Sequence, residues 1–351
     1  MSKSLLIYGV NGYTGRLVVQ EAVARGLKPI LSGRSAAAVR EMAAAHGLEA
    51  RPVGLDDAAA LRAALDGVGV VLHCAGPFMH TAKPMLEACL AAGAHYLDIT
   101  GEIGVFEAMA AAHERALQAG ISVMPGVGFD VVPTDCLAAH LKRRLPGATQ
   151  LDLAFSGGSS VSHGTAATVI EGLGKGGAVR RGGRIQRVPT AWQTRRVEFA
   201  DKARTCVTIP WGDVSTAFHS TGIPDVTTWM ATTPQALRSM RMMRYFEGIL
   251  RMGFVRTLLK RQLKSRPAGP GAEALAQAKS QVWGEARDEN GGVVRSRLTA
   301  ATGYALTALT SVRAAERALA GDTPPGFLTP SKAFGADFIL GFPGSVREDI
   351  T

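Results

Sequence analysis

Apolar and polar positions alternate in regular blocks along the first third of the chain. Short apolar runs occur at residues 5–9, 29–32, 50–54, 68–74, 95–99 and 121–124. Between them lie segments with apolar residues at helical spacing, at 14–25, 35–46, 57–65, 81–92 and 103–119. The run at 68–74 contains no charged residue, which suits a strand buried on both faces of a parallel sheet. Strands that alternate with helices of this length predict a doubly wound α/β fold of the Rossmann type.

The pattern changes after Pro133, where a helix is predicted at 134–144. Strand-like segments follow at 150–155, 185–188, 206–209, 215–218, 282–288 and 293–299, mixed with helical ones. This mixture predicts an α+β second domain, and 351 residues exceed the usual size of a single hydrophobic core. We predict a Rossmann domain at residues 1–132, a second domain at 133–324, and a C-terminal tail, 325–351, that returns to the first.

A glycine-rich loop separates the first predicted strand from the first predicted helix and reads GVNGYTG. Glycines at these positions allow a tight turn and a close approach of a pyrophosphate, which the helix N-terminus then binds through free N–H groups. The spacing GxxGxxG differs from the commoner GxGxxG but allows the same contacts. The loop predicts dinucleotide binding through Gly9, Asn11, Gly12, Tyr13, Thr14 and Gly15. The alternative is a tight turn that binds no ligand.

The end of the second predicted strand indicates which dinucleotide is bound. NAD-binding domains usually carry Asp or Glu about 20 residues after the glycine loop, where it holds the ribose 2′-hydroxyl. This chain has Ser32, Gly33 and Arg34 there and no acid. An arginine pairs with a 2′-phosphate, which an acid would repel, so the sequence favours NADP(H). The alternative is that Arg34 is a solvated residue at the start of a helix.

The fourth predicted strand ends in CAGPF, at the sheet edge where ligands of doubly wound folds bind. Ala75 and Gly76 are small enough for a cofactor to lie close to the backbone. Pro77 and Phe78 are predicted to flank the nicotinamide, with Phe78 also contacting substrate. The alternative is a plain Gly-Pro turn.

Carboxylates follow the fifth and sixth predicted strands and are the candidate proton donors. Asp98, Thr100 and Glu102 alternate after the fifth strand, and Asp130 follows the sixth. A hydride transfer to C=C, C=N or C=O needs a positioned acid, which any of the three carboxylates supplies if its pKa is raised. Thr100, Phe129 and His163 are further candidates for substrate contact. The alternative is that Thr100, Glu102 and Asp130 cap the helices that follow them.

These motifs, in this order, resemble the saccharopine dehydrogenase-like oxidoreductases, a group that includes trans-acting enoyl reductases. The resemblance rests on GVNGYTG, CAGPF, YLDITGE at 96–102 and GVGFDVVPTD at 126–135, and it covers roughly residues 1–140. It implies an NADP-dependent reductase with a Rossmann domain and a substrate domain. The group to be reduced stays open between enoyl, imine and carbonyl, on a small-molecule or acyl substrate.

Two other functions remain open at this stage. One is a non-catalytic NADP-binding protein that acts as a redox sensor or scaffold. The other is a semialdehyde reductase that uses Cys74 or Cys136 as nucleophile. A short-chain dehydrogenase is disfavoured, because none of the five tyrosines lies four residues before a lysine. The four cysteines form no CxxC pair, so neither a disulfide framework nor a metal site is predicted.

The net charge of +10 is concentrated in two segments, 175–204 and 238–266. Residues 236–264 combine basic side chains with apolar residues at helical spacing, a pattern that favours a packed helix with a solvated basic face. The alternative is a contact with a membrane surface or a carrier protein. Few aromatics interleave the charges, so nucleic-acid binding is not predicted.

The lack of a signal-peptide pattern or an apolar stretch of about 18 residues leads us to expect a cytoplasmic protein. We also expect a homodimer that forms through the second domain.

Overall fold

The computed structural model describes residues 3–157, 162–250, 252–263, 269, 271 and 279–350. The chain forms two compact units. The residues up to Asp130, together with Tyr304–Ala333, form the first, and Val131–Gly303, with those from Phe334 onward, form the second. Residues 304–324, which the sequence assigns to the second domain, therefore belong to the first unit. Of the predicted returning tail, only the part up to Ala333 does so.

The first unit contains a seven-stranded parallel sheet. Its strands are β1 (Ser4–Tyr8), β2 (Ile30–Gly33), β3 (Ala50–Pro52), β4 (Val68–His73), β5 (His95–Asp98), β6 (Ser122–Met124) and β15 (Gly326–Phe327). The spatial order is β15-β6-β5-β4-β1-β2-β3, which confirms the predicted Rossmann arrangement. The order reverses between the neighbours β1 and β4, and this switch point is where doubly wound sheets bind nucleotides.

Helices connect these strands and cover the sheet. They are α1 (Tyr13–Ala24), α2 (Ala36–His46), α3 (Ala58–Ala64), α4 (Phe78–Ala92), α5 (Ile103–Ala111) and α6 (His113–Gln118), followed late in the chain by α13 (Gly303–Leu319) and α14 (Pro330–Phe334). The single helix expected at 103–119 is two, because Ala112 leaves the helical conformation at φ −87° and ψ 4°. All six residues of β4 are buried, as its uncharged sequence predicts.

The second unit is built on a nine-stranded mixed sheet, with order β10-β11-β12-β7-β13-β14-β16 and the hairpin β8–β9 attached to β12. Its strands are β7 (Gln150–Ser156), β8 (Gly177–Arg181), β9 (Arg184–Val188), β10 (Thr194–Glu198), β11 (Ala203–Thr208), β12 (Asp225–Ala231), β13 (Lys279–Arg287), β14 (Val293–Ala301) and β16 (Val346–Asp349). The pairing of β16 with β14 explains why the last residues belong to this unit and not to the Rossmann sheet.

Six helices accompany this sheet in the described ranges. They are α7 (Val132–Arg144), α8 (His163–Gly172), α9 (Asp213–Thr221), α10 (Pro234–Met243), α11 (Glu247–Leu250) and α12 (Gly253–Leu263). Helix α7 packs closely on β13, where a Cβ added to Gly284 would lie 2.6 Å from Leu141 Cδ1. The prediction of a strand at 215–218 is wrong, because these residues lie within α9. This helix buries Val214 and Ala217, and Gly222 follows it in the left-handed conformation.

None of the described helices is both long enough and apolar enough to cross a membrane.

Candidate cofactor and active site

The glycine loop folds tightly against the end of β4. Gly9 follows β1 with a left-handed φ of +89°, which favours glycine. A Cβ on Gly9 would lie 2.8 Å from the Cβ of Ala75 and 2.9 Å from its backbone nitrogen. The two loops that flank the switch point are therefore in direct contact.

Helix α1 begins immediately above this turn. A Cβ on Gly15 would lie 2.3 Å from the carbonyl oxygen of Gly9 and 3.0 Å from Val10 Cα, so no side chain fits there. Gly12 is the N-cap and supplies no side chain to cap the first N–H groups of the helix. Asn11 and Gly12 are exposed, and Tyr13 and Thr14 are partly exposed. The start of α1 is uncapped, and the turn beneath it is too tight for added Cβ atoms. Both features fit the binding of a pyrophosphate.

Arg34 lies exposed just beyond the end of β2. Across the ranges described above it forms neither a hydrogen bond nor an ion pair. Burial raises the pKa of Tyr8 at the end of β1 to about 12, and the charge of Arg34 opposes this rise. Ser32 is fully buried and donates its hydroxyl hydrogen to the carbonyl of Arg51 at 2.7 Å. An available guanidinium beside the glycine loop fits a ribose 2′-phosphate.

The loop after β4 presents its small residues and buries its aromatic one. Gly76 is exposed, and Ala75 and Pro77 are partly exposed, as expected of residues that lie along a cofactor. Phe78, a candidate for substrate contact, is 8% exposed and belongs to the hydrophobic core. Its ring meets His73 edge-on, with 5.3 Å between the ring centroids. This burial places Phe78 beneath the loop.

Glu102 ties the loop after β5 to the start of α4. Its Oε1 accepts a hydrogen bond from the backbone N–H of Phe78 at 2.8 Å, and its Oε2 accepts one from Met79 at 2.9 Å. The sequence offered Glu102 as a cap of its own helix, but α5 receives no side-chain cap. Thr100, the other suggested cap, is fully buried and accepts the N–H of Glu102 through Oγ1.

Asp98 joins the ends of β5 and β6. Its Oδ2 accepts the Tyr96 hydroxyl at 2.6 Å, and its Oδ1 accepts the N–H groups of Thr100 at 2.9 Å and Gly126 at 3.0 Å. Burial raises its pKa to about 6, although these hydrogen bonds favour the charged form. A fully buried carboxylate with three donors holds two loops together.

Asp130 lies at the end of the loop after β6, folded over Gly101. A Cβ on Gly101 would lie 2.7 Å from Asp130 Oδ2 and 3.2 Å from its Cγ. Desolvation raises the pKa of Asp130 to about 7, although the residue keeps part of its surface exposed. Helix α7 begins after Val131, its N-cap residue, whose side chain makes no capping hydrogen bond. The neighbouring Phe129 is partly exposed and donates its N–H to Thr307 Oγ1 at 3.0 Å.

His73 is a fully buried polar residue at the end of β4. Neither nitrogen of its ring has a hydrogen-bond partner in the described part of the chain. Burial lowers its pKa to about 3, so the ring is neutral. Tyr8 and Phe78 lie within 5.4 Å of it, measured between ring centroids, behind the loop that follows β4.

The remaining candidates are His163, for substrate contact, and Cys74 and Cys136, as nucleophiles. His163, a candidate for substrate contact, is the first residue of α8 and belongs to the second unit. Burial raises the pKa of both Cys74 and Cys136, which disfavours the thiolate that a semialdehyde reductase needs. Among the described residues no group of three or more His, Cys, Asp or Glu could hold a metal.

A glycine loop at the switch point of a doubly wound sheet defines a dinucleotide-binding protein. Residues 5–124 match the family model of the saccharopine dehydrogenase NADP binding domain, which confirms the predicted resemblance and gives NADP as the cofactor.

Two relatives and one solved structure extend this result. A human saccharopine dehydrogenase-like oxidoreductase is 26% identical over 209 residues, which cover 50% of this chain and 47% of the relative. A trans-acting enoyl reductase of Mycobacterium bovis is 30% identical over 148 residues, 40% of this chain and 35% of the relative. The chain thus spans about half the length of the human relative that it matches.

The whole fold resembles that of a saccharopine dehydrogenase (L-Glu forming) from Saccharomyces cerevisiae. The TM-score is 0.66 at 12% identity, covering 99% of this chain and 100% of the other. At this identity the likeness concerns the fold, and it confirms a Rossmann unit combined with a second, mixed-sheet unit.

Proposed function

We propose that the protein is an NADP(H)-dependent oxidoreductase that reduces an enoyl, imine or carbonyl group of a small-molecule or acyl substrate. The observation that carries the proposal is Asp130, a carboxyl group with a pKa of about 7 that lies over Gly101 in the unit that binds NADP. A group with a pKa near neutrality is suited to donate a proton at neutral pH.

Each part of the site has one task in this proposal. The turn at Gly9 and the start of α1 bind the pyrophosphate, and Arg34 pairs with the 2′-phosphate. Bound NADPH supplies the hydride. The protonated carboxyl of Asp130 gives its proton to the substrate atom that becomes negative, and the resulting carboxylate takes a proton back from water.

The other two predicted acids are assigned to positioning by the contacts that they make. Both carboxylate oxygens of Glu102 accept backbone N–H groups of α4 and so hold the start of that helix. Asp98 is 0% exposed and accepts three hydrogen bonds. Both are positioning residues in this proposal.

The cofactor half is tested by titrating the purified protein with NADPH and with NADH, following nicotinamide fluorescence. Arg34→Ala should weaken NADPH binding by roughly ten- to a hundredfold, because hydrogen bonds to a charged group contribute about 1.5–3 kcal/mol, and should leave NADH binding unchanged. Arg40→Ala removes an exposed arginine from α2 and is the matched control. Equal loss of both nucleotides, or no loss, would contradict the role of Arg34.

The catalytic half is tested by following NADPH oxidation with a panel of enoyl thioesters, imines and ketones. Turnover with one class, reduced about a hundredfold or more in Asp130→Asn at unchanged NADPH affinity, is the expected result. Tight NADPH binding without turnover of any class would favour the sensor or scaffold alternative. Turnover abolished by Cys74→Ala or Cys136→Ala, and not by Asp130→Asn, would favour the thiol mechanism.

A further inference from the structure

The basic helical segment, residues 236–264, forms an unusual apolar surface on the second unit. It folds as α10, a 3-10 turn at Arg244–Phe246, α11 and α12, and no residue of α10, this turn or α11 is buried. Arg251 and Lys264 lie outside the described residues. Seven of the twelve large hydrophobic side chains exposed in the described chain lie between Met242 and Leu258. Such a concentration indicates a surface that another molecule covers.

The sequence around this surface is strongly basic. Residues 238–266 contain nine Lys or Arg against a single acid, Glu247. The carboxylate of Glu247 accepts the hydroxyl hydrogen of Thr190 at 2.9 Å. The side chains of Arg238, Arg241 and Arg261 are exposed and form no hydrogen bond or ion pair with any residue that the structure describes.

The geometry of α12 separates an inner from an outer face. Arg256 pairs with Glu171 of α8 at 3.6 Å and so faces the protein. Phe254, Leu258 and Arg261 follow one another at helical spacings of four and three and therefore share one face. Phe254 is 68% exposed and Leu258 is 55% exposed, so this face meets the solvent.

A basic cavity opens beside the segment. Its lining includes Lys175, Arg187 and Arg244, with Glu247 as its acid. Lys175 and Arg187 are exposed and, among the described residues, have no ion-pair partner. The cavity offers two free cationic groups to a phosphate next to an apolar helical face.

Charge decides between the possible occupants of this surface. In a symmetric dimer the same patch would face itself and bring like charges together. A nucleic acid would match the charge but would leave the aliphatic side chains of Met242, Ile249 and Leu258 without a partner. An anionic lipid bilayer satisfies both features, because its head groups pair with arginine and its acyl region takes up apolar side chains.

We propose that the basic helical segment docks the protein on the surface of an anionic lipid bilayer. The exposed apolar side chains of α10 to α12 enter the head-group region, and the arginines pair with lipid phosphates. This proposal does not rest on the oxidoreductase function, since a protein that fails to reduce any substrate could still bind the bilayer.

The test is co-sedimentation of the full chain with vesicles of phosphatidylcholine alone and of phosphatidylcholine mixed equally with phosphatidylglycerol. Binding to the anionic vesicles only is expected. Arg238→Gln, Arg241→Gln and Arg261→Gln together should weaken it roughly a hundredfold, since each basic residue near an anionic surface contributes about fivefold. Phe254→Ser with Leu258→Ser should weaken it about tenfold or more.

Two matched controls keep the test specific. Lys28→Gln, Arg40→Gln and Lys83→Gln remove the same charge from exposed positions of the first unit, and Leu117→Ser with Leu340→Ser removes two other exposed leucines. Both controls should bind like the unaltered protein. Equal binding to both vesicles, no binding to either, or a dimer that dissociates in the segment variants would overturn the proposal.

Discussion

The carboxyl group of Asp130 lies in surroundings that disfavour its charge, and Asp130→Asn removes that charge with little change of shape. Desolvation raises the pKa of Asp130 from 3.8 to about 7 in the folded protein. Because the folded pKa lies above the unfolded one, the group contributes stability that is fully present below the unfolded pKa. This stability is lost as the pH rises through about 7.

The size of the effect follows from the shift. Three pKa units correspond to roughly 4 kcal/mol between the two protonation states. Asp130 keeps part of its surface exposed, so solvent relieves some of this penalty, and we expect about 2 kcal/mol. At about pH 8 the amide variant should therefore be more stable than the unaltered protein by this amount, and at about pH 4 the two should differ little.

Urea unfolding of both proteins at the two pH values measures this difference, and the comparison cancels other titrating groups. Asp66→Asn, an exposed acid of the same unit, is the control variant. The stabilised Asp130→Asn protein should at the same time lose turnover about a hundredfold or more. A difference between variant and unaltered protein that is the same at both pH values would refute the desolvated carboxyl and, with it, the argument for a neutral-pH proton donor.

Three further substitutions test the parts of the site around this acid. Gly15→Ala places a Cβ 2.3 Å from the Gly9 carbonyl and should weaken NADPH binding about tenfold or more in a fluorescence titration. Glu102→Gln loses one of its two N–H acceptors for α4 and should reduce the free energy of unfolding in urea by about 1–3 kcal/mol. Tyr96→Phe removes a hydrogen bond that favours charged Asp98, so the pKa of Asp98 should rise above about 6 and the melting temperature should fall more steeply as the pH is raised. Unchanged NADPH affinity in Gly15→Ala would contradict the first argument. An unchanged free energy of unfolding in Glu102→Gln would contradict the second, and an unchanged pH dependence of the melting temperature in Tyr96→Phe would contradict the third.

The Rossmann unit could be predicted from the sequence because its signals are local. Each parallel strand is a short apolar run, and Gly15 of the loop is required by an atom only a few residues away, the carbonyl oxygen of Gly9. In the second unit the sequence did not predict β10, which carries two arginines and a glutamate, and it also missed β12 and β16. It also mistook part of α9 for a strand, because a segment of four residues fits both periodicities.

The arrangement of the acids was less predictable, because their partners are distant in sequence. Glu102 caps α4, which begins at Phe78, and not the helix that follows it. Gly101 was not singled out as a site residue, although the lack of a side chain there makes room for Asp130. The sequence signal for Gly101 was weak, because it consisted only of a glycine between two polar residues after a buried strand. Nothing in the sequence indicated which loop would cover this glycine.

The contacts between these loops form a continuous series within the first unit. The loop after β1 contacts Ala75, which follows β4. Glu102, in the loop after β5, binds the start of α4, the helix that follows Ala75. Asp98, at the end of β5, accepts the backbone N–H of Gly126, which follows β6. Asp130 closes the series on Gly101. Because most of these links are made to backbone atoms, the position of the acid relative to the NADP loop depends little on which side chains surround it.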